Sequence, residues 1–265
     1  MKLIGQGNTA EIYEFDNNKI VKLFRPGVPE TIIHNELERT DFIESIIPNV
    51  PKNFGLIEID NRIGIIYSKV EGTDMIQLML KSLNKTKRYS KEFAQFHFDL
   101  HKNHVYQNKF SLKDKLFTDI DNVSVIDAYT KKQIKDYVKS LPAGNSLCHF
   151  DFHPGNIMIE QNSPVILDWM TSCVGNKFVD VARTYIVLRY GEFPHGNILV
   201  KTIIRLFQKY IAKIYLSEYL NLSNSNKELL ETWFLPIATA RLSEWISPKE
   251  QKQLLQLINN ELKKI

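Results

Sequence analysis

The sequence has few cysteines and no long apolar run, and both absences restrict the class of protein. Of the 265 residues only Cys148 and Cys173 are cysteines, and they lack the C-x-x-C spacing of redox and zinc sites. Because nothing indicates a secretory context, we expect both to be reduced packing residues. No segment reaches the roughly 18 apolar residues of a membrane span, and residues 1–7 do not resemble a signal peptide. We therefore expect a cytoplasmic protein with no membrane partner.

The chain also lacks a strong excess of one charge. It contains 34 Lys and Arg against 30 Asp and Glu, which leaves a formal net charge of +4. The densest basic run, residues 81–91, is interpreted as a solvated loop rather than a contact for a phosphate backbone. We expect no nucleic-acid partner, and composition makes no prediction of the oligomeric state.

The hydrophobic pattern changes from alternation to helical spacing near residue 70. Before that point the pattern predicts a hairpin and a third strand within residues 3–24, a helix at 30–43, and strands at 53–59 and 62–70. After it we predict helices at 75–83, 91–104, 128–140 and from 179 to the end, with a loop at 110–126 and breaks near 191–196, 221–226 and 247–248. The fold class is therefore α+β, with a small antiparallel-sheet lobe over 1–70 and a larger helical lobe over 71–265.

Residues 147–156, Leu-Cys-His-Phe-Asp-Phe-His-Pro-Gly-Asn, place an acid and an amide on one short loop. Asp151 and Asn156 lie five positions apart. At this spacing a carboxylate can orient an attacking hydroxyl while an Asn oxygen binds the magnesium that neutralises phosphates. Asp168 ends a short apolar strand and adds a second oxygen ligand. The pattern predicts phosphoryl transfer with Asp151 as base and with Asn156 and Asp168 as metal ligands.

A glycine pair near the start of the chain is a weaker signal for the same chemistry. Gly5 and Gly7 would let backbone amides approach the phosphates of a nucleotide, although such a glycine pair is more often part of a plain hairpin turn. The third glycine of the kinase pattern is missing.

Lys22 is flanked by apolar residues on a predicted strand, so its ammonium group must reach the surface or be paired. Glu36 and Glu38 on the following helix compete as partners, and residues two apart on a helix point about 200° apart. We favour Glu36, because it shares a face with Ile32 and Ile33. The alternative is a helix with two solvated acids.

Histidines and one further acid invite other interpretations. His97 and His101 have the i, i+4 spacing of zinc ligands, but we reject zinc because no Glu of an HExxH motif and no third ligand accompany them. His149 is interpreted as a hydrogen-bonding scaffold for the loop. Asp180 either caps a helix N-terminus or braces the loop from beneath, and both alternatives stay open.

Taken together, these residues resemble the aminoglycoside phosphotransferase and choline kinase family of protein-kinase-like enzymes. The resemblance implies a two-lobed kinase-like fold, with residues 1–70 binding the nucleotide and 71–265 carrying catalysis and the acceptor. It implies that ATP lies between the lobes, that Lys22 holds its α and β phosphates and that Glu36 fixes Lys22. The other implied sites are Gly5, Gly7, Ser68 and Val70 for the nucleotide, Asp151 as catalytic base, Asn156 and Asp168 for Mg²⁺, and Asp180 for the catalytic loop.

The chain departs from the usual family pattern beside the base. Phe150 stands where the family commonly has Gly, and Phe152 where an aliphatic residue is common. Either ring narrows the acceptor site or fills the core. Clustered carboxylates for a polycationic aminoglycoside are also missing, since the C-terminal acids are scattered among lysines.

The short segment between Asp168 and Asp180 leaves no room for the long segment on which protein kinases dock peptides. We therefore predict an ATP-dependent kinase that phosphorylates a hydroxyl of a small molecule, such as an aminoglycoside-like compound, an amino alcohol or a sugar derivative. The alternatives are a nucleotide-binding pseudokinase that acts as a partner protein and a protein Ser/Thr kinase.

Overall fold

The computed structural model describes residues 1–7, 9–106, 109–192 and 197–265. Two compact units contain them. The sheet unit comprises residues 1–78 and 154–171, and the helical unit comprises residues 79–153 and 172–265. The predicted domain boundary between residues 70 and 71 remains a prediction. Of the predicted turn at residues 5–8, Asn8 lies outside the described residues, as do residues 193–196 of the predicted break near 191–196.

The sheet unit is built on a five-stranded antiparallel sheet in the order β1-β2-β3-β5-β4. One helix, α1, has its apolar face at Ile33 and Ile43, which are buried. The strands and helices of this unit are β1 (Lys2–Gln6), β2 (Ala10–Asp16), β3 (Lys19–Phe24), α1 (Glu30–Glu44), β4 (Asn53–Ile59), β5 (Arg62–Ser68), β6 (Thr73–Asp74), the start of α2 (Met75–Lys81), β8 (Ile157–Glu160) and β9 (Ser163–Ile166).

Side chains alternate between the two faces of the large sheet, and those on one face form the core of the unit. Ala10, Phe24, Ile33, Ile65 and Tyr67 form the buried cluster. The turn predicted at Asp60 and Asn61, between the strands at 53–59 and 62–70, is confirmed, because both residues have positive φ, as the tight turn of a two-residue hairpin requires. The prediction that the last strand reaches residue 70 was wrong: β5 ends at Ser68, and the Lys69 N–H instead donates to the carbonyl oxygen of Asn18 at 2.8 Å.

A second small sheet in this unit has the order β6-β8-β9. Its strands pair antiparallel, with Thr73 opposite Ile159 and Ile157 opposite Ile166. Gly72 lies so close to Ile159 that an added Cβ would be 2.5 Å from the carbonyl oxygen of Ile159. Glycine is therefore required where the chain leaves the larger sheet.

The helical unit contains the remaining elements. They are β7 (Ser146–Cys148), β10 (Cys173–Gly175), α3 (Thr86–Leu100), α4 (Leu112–Asp121), α5 (Ala128–Ser140), α6 (Lys177–Tyr190), α7 (Ile198–Leu222), α8 (Lys227–Glu231), α9 (Phe234–Arg241) and α10 (Pro248–Leu262). Strand β7 pairs with β10, which brings Cys148 opposite Cys173, and both are buried free thiols. None of the helices in the described part of the chain has the length and apolar content needed to cross a membrane.

Two predictions for this unit were wrong. The predicted loop at 110–126 contains α4, whose buried residues Leu112, Leu116 and Ile120 recur every four positions and whose N-terminus is capped by the Ser111 side chain. The predicted solvated loop at 81–91 is helical instead, since α3 begins at Thr86. Charged residues on the outer face concealed the helical period in both places.

Candidate functional site

Lys22 lies at the centre of β3 and its ammonium group contacts two carboxylates of the sheet unit. The Nζ atom is 2.7 Å from Oε1 of Glu36 and 3.1 Å from Oδ1 of Asp168. Burial acts to lower the pKa of Lys22, but the two carboxylates outweigh it, and the pKa is raised. Lys22 is therefore a fixed positive charge beside Asp168.

Glu36, not Glu38, pairs with Lys22, as the sequence predicts. Glu36 is buried on α1, and its Oε1 also accepts a hydrogen bond from the hydroxyl of Tyr67 at 3.1 Å. The predicted shared face was only half right: Ile33 is buried with Glu36, whereas Ile32 is exposed. On a helix the residues three and four positions before Glu36 point to either side of it. Only Ile33, three positions before, turns towards the sheet.

The two glycines lie at the first hairpin. Gly5 is within β1, and the Gly7 N–H donates to the carbonyl oxygen of Ala10 at 2.8 Å. A Cβ added at Gly7 would meet nothing nearer than the Ala10 oxygen at 3.9 Å. Space is thus free beside Gly7, although its carbonyl oxygen already accepts hydrogen bonds from the Arg25 guanidinium at 3.3 and 3.2 Å. Neither glycine is required by a positive φ.

The predicted hinge residues follow the last strand of the large sheet. Ser68 ends β5, and its hydroxyl accepts a hydrogen bond from the Lys52 N–H at 2.9 Å. Val70 is half-buried two residues later. Their role in binding a nucleotide stays a prediction.

Asn156 and Asp168 lie side by side at the open end of the β8–β9 hairpin. Asn156 directly precedes β8, and Asp168 is the second residue after β9. The Leu167 N–H donates to the carbonyl oxygen of Asn156 at 2.8 Å, which joins the two chain segments. Asp168 has φ of 59°, a left-handed conformation that Asp tolerates better than most residues.

The donor set at this hairpin end fits a magnesium ion. An amide oxygen and a carboxylate are hard oxygen ligands of the kind that Mg²⁺ takes, and this ion keeps several water ligands besides. The side chain of Asp168 is 43% exposed, so one face of its carboxylate is accessible while Oδ1 faces Lys22.

Asp151 lies in the helical unit, on the loop after β7. Its backbone N–H donates to Nδ1 of His149 at 3.2 Å, which confirms His149 as a hydrogen-bonding scaffold. The carboxylate oxygens are 3.6 Å from Nε2 of His153 and 3.9 Å from a guanidinium nitrogen of Arg183. The Asp151 side chain is one-third exposed. Its two oxygens therefore have defined neighbours but remain open to a ligand.

Asp180 braces this loop, and the alternative of an N-cap was wrong. Asn176 caps α6, whereas Asp180 lies within its first turn and is fully buried. Its carboxylate accepts the backbone N–H of His149 at 2.6 Å and that of Phe150 at 2.9 Å. The two residues before Asp151 are thereby attached to α6.

Two histidine and tyrosine pairs, which sequence reasoning did not connect with Asp180, complete its surroundings. Nε2 of His97 is 3.1 Å and Nε2 of His101 is 3.4 Å from the same carboxylate oxygen. Nδ1 of His97 lies 2.7 Å from the Tyr215 hydroxyl, and Nδ1 of His101 lies 2.6 Å from that of Tyr219. We assign each ring proton to Nε2, so that the tyrosines donate to Nδ1 and His101 donates to Asp180. Nε2 of His97 faces the same carboxylate but makes no hydrogen bond with the described residues.

Burial controls the protonation of this cluster. It lowers the pKa of His97 to about 3 and also lowers that of His101. The pKa of Asp180 is held well below its usual range, because the neighbouring histidines outweigh the opposing effect of burial. Although a carboxylate oxygen and two imidazole nitrogens come close enough to hold a metal ion, three hydrogen bonds, from the N–H groups of His149 and Phe150 and from His101, already engage the carboxylate.

Arg183, three residues after Asp180, is a second residue that sequence reasoning missed. Its buried guanidinium donates from Nε to the carbonyl oxygen of Phe150 and from Nη1 to Oε1 of Glu244 at 2.6 Å. Glu244 also contacts Arg241, and its pKa is lowered to about 2 because the two arginines outweigh burial. The available signal was a basic residue within the buried apolar segment that begins α6.

Both phenylalanines of the loop fill the core. Phe152 stacks on the ring of His97, with ring centres 3.9 Å apart. Phe150 is buried beside the Arg183 guanidinium, 4.7 Å from its ring centre, and has φ of 63°. This left-handed conformation is one that glycine adopts without cost and Phe does not.

Comparison with known proteins shows which family the chain belongs to. The model of the phosphotransferase enzyme family matches residues 1–214, which is most of the chain. The chain belongs to the phosphotransferase enzyme family. A search of curated proteins found no match.

Solved structures of similar fold agree with this membership. Aminoglycoside phosphotransferase APH(2'')-IIa, in a ternary complex with streptomycin and ATP, is 15% identical, with a TM-score of 0.59, covering 97% of this chain and 92% of that one. Aminoglycoside phosphotransferase APH(3'')-Id from Streptomyces rimosus is 12% identical, with a TM-score of 0.62 and coverage of 87% and 89%. A choline kinase from Cryptosporidium parvum Iowa II is 13% identical, with a TM-score of 0.56 and coverage of 99% and 88%. The fold of this phosphotransferase is therefore protein-kinase-like.

Proposed function

We propose that this phosphotransferase transfers the γ-phosphoryl group of ATP, with Mg²⁺, to a hydroxyl of a small molecule. The observation that carries the proposal is the arrangement in the sheet unit: Lys22 contacts both Glu36 and Asp168, and Asp168 lies beside Asn156. A fixed cation next to two oxygen ligands is what a polyphosphate and its metal ion require. Solved relatives by fold contain ADP, or ATP with streptomycin, which supports a nucleotide here.

In this proposal each group of the sheet unit has one task. Lys22 binds the α and β phosphates and Glu36 holds Lys22 in place, while Asn156 and Asp168 hold Mg²⁺. When bound, Mg²⁺ offsets the charge of the phosphate oxygens. The open backbone around Gly5 and Gly7, and the segment of Ser68 and Val70, contact the nucleotide.

Asp151 accepts the proton of the acceptor hydroxyl as the phosphoryl group transfers. His149 fixes its backbone, and His153 and Arg183 each lie near one carboxylate oxygen, which restricts the directions in which the group can point. Restricting a reacting group in this way lowers the entropic part of the barrier.

The charges of the helical unit support one class of acceptor over another. Relatives by fold bind streptomycin or gentamicin, or are choline kinases. In this chain Glu192 is paired with Lys249, Glu231 with Lys227, and Glu244 with two arginines. Carboxylates that already have partners attract a polycation weakly. Among the predicted acceptors, an amino alcohol or a sugar derivative is therefore favoured over an aminoglycoside.

The elements after the metal ligands favour a small molecule over a protein substrate. Between Asp168 and Asp180 the chain forms a short turn at Trp169–Thr171, strand β10 and the first turn of α6. These elements use nearly all of the intervening residues. A long segment on which a peptide substrate could dock has no place here.

The test is acceptor-dependent ATP turnover by wild type and by Asp151→Asn. With a panel of hydroxyl-bearing metabolites and antibiotics, we expect Asp151→Asn to lose at least about a hundredfold in kcat while nucleotide binding persists, because the base is removed and the nucleotide ligands remain. Asp136→Asn, an exposed acid on α5 that pairs with Lys139, is the matched control and should keep full turnover.

Two results would refute the proposed enzymatic activity. Wild type that binds nucleotide but turns over no acceptor would support a nucleotide-binding pseudokinase. Labelled phosphate that appears on protein instead of the small molecules would support a protein Ser/Thr kinase. The predicted cytoplasmic location, where ATP is abundant, remains a prediction.

A further inference from the structure

The first half of α7 exposes large apolar side chains instead of burying them. At its start Ile198, Leu199 and Val200 are 86%, 68% and 42% exposed. One and two turns later Ile203, Leu206 and Tyr210 are exposed as well. A monomeric protein seldom exposes so many large apolar side chains on one element without a partner.

Every charged residue on this part of α7 is a cation. Lys201, Arg205, Lys209 and Lys213 follow one another at intervals of four residues, and no acid occurs before Glu218. Positions four apart lie on one side of a helix, and twelve residues span about 18 Å. The cations therefore form a ridge beside the exposed apolar residues.

These cations are only weakly compensated within the described part of the chain: Lys249 and Ser247, and to a smaller extent Arg205, lower the pKa of Glu192. None of the four forms an ion pair with a carboxylate there. Burial lowers the pKa of Lys209, and the nearby Arg189 and Arg205 act in the same direction. A groove of about 620 Å³ beside the ridge is lined by Arg189, Lys209, Lys213 and Lys227 and by no acidic residue. The surface thus favours an anionic partner.

We propose that the first half of α7, residues 198–213, binds the surface of a membrane that contains anionic lipids. The prediction of no membrane partner was argued from the absence of a spanning segment, and a helix that lies on the surface needs none. Cations on one side and aliphatic or aromatic residues on the other are the features of interfacial helices. The cations would contact lipid phosphates, and the apolar residues would enter the acyl boundary.

The exposure of three consecutive residues favours lipid over a protein partner. Neighbouring residues on a helix point about 100° apart, so residues 198–200 together cover about 200° of its circumference. A second protein, or a second copy of this chain, covers one face of a helix. A fluid lipid boundary can accommodate so wide an apolar arc on the first turn of a helix that lies in the interface.

The test is co-sedimentation of the full chain with vesicles of phosphatidylcholine alone or of phosphatidylcholine with about one-third phosphatidylglycerol. We expect binding to the anionic vesicles only, and its loss at high salt, because anionic lipid attracts basic residues. Lys201→Gln with Lys213→Gln should weaken binding about 25-fold, at about fivefold for each cation removed. Ile203→Ser with Leu206→Ser should weaken it at least tenfold.

The matched control replaces exposed lysines on other helices, Lys139→Gln with Lys252→Gln, and should bind as wild type does. All substituted side chains are exposed or at the surface, and equal thermal unfolding of the variants would show that folding is unchanged. Equal binding to both kinds of vesicle, no binding to either, or equal loss in the control would overturn the proposal. So would a concentration-dependent dimer that Ile203→Ser with Leu206→Ser abolishes, because the face would then be an interface between copies.

Discussion

The neutral state of His97 makes the stability of this protein depend on pH, and a single substitution should reduce that dependence. His97 is fully buried, and its pKa is lowered from 6.5 to about 3. Below about pH 6.5 the unfolded chain binds a proton at this residue while the folded chain does not, so stability falls as the pH falls. Between about pH 6.5 and pH 5 the loss is 1.5 pH units at 1.36 kcal/mol each, or about 2 kcal/mol.

His97→Gln is the informative variant. A Gln amide keeps a polar group beside Asp180, but it does not titrate and does not stack on Phe152 as the imidazole does. We expect lower stability than wild type at about pH 7.5 but a pH dependence smaller by about 2 kcal/mol between that pH and about pH 5. Asp180 adds nothing to this difference, because its pKa is held well below its usual range and the carboxylate stays ionised throughout.

The assay is urea unfolding at the two pH values, with the free energy of unfolding of each variant compared. His104→Gln, which changes an exposed histidine near the end of α3, is the control and should keep the wild-type dependence. If His97→Gln lost as much stability on acidification as wild type, to within about 0.5 kcal/mol, the buried neutral imidazole would not be its source.

Substitutions at Glu36 and at Phe150 test two further assignments. Glu36→Gln leaves the Lys22 cation with one carboxylate fewer and should lower the free energy of unfolding by about 3 kcal/mol, whereas Glu38→Gln on the same helix should change it by less than about 1 kcal/mol in the same urea titration. At Phe150, Gly should be more stable than Ala by about 1 kcal/mol, the reverse of the usual order, because φ is 63°. Equal losses at the two acids, or Ala ahead of Gly, would contradict these assignments.

The fold was largely predictable because its signals are local. Alternation placed the strands of the large sheet and the turn at Asp60 and Asn61, and the family resemblance supplied the overall class. The missed helix α4 shows the limit: Leu112, Leu116 and Ile120 recur at helical spacing, but lysines and aspartates between them lower the mean hydropathy of the segment. Periodicity was the better guide there than composition.

The candidate site was predictable only where one residue constrains another nearby in the chain or where burial demands a partner. The pairing of Lys22 with Glu36 followed from the cost of an unpaired buried cation. The contact of Arg183 with Glu244 spans 61 positions, and nothing in the pattern of either segment indicates the other. Contacts between distant helices are set by tertiary packing, which periodicity does not report.

The contact between Lys22 and Asp168 has a consequence for the order in which ligands bind. In the protein alone the two side chains neutralise each other at 3.1 Å. In the proposed reaction each must exchange its partner, Lys22 for a phosphate and Asp168 for the metal ion. A nucleotide that took Lys22 without the metal ion would leave Asp168 without a cation beside the negative phosphates. Lys22 itself keeps its ion pair with Glu36, at 2.7 Å, in either case. In the proposed reaction the metal ion would therefore favour nucleotide binding, because it replaces the cation that Asp168 loses.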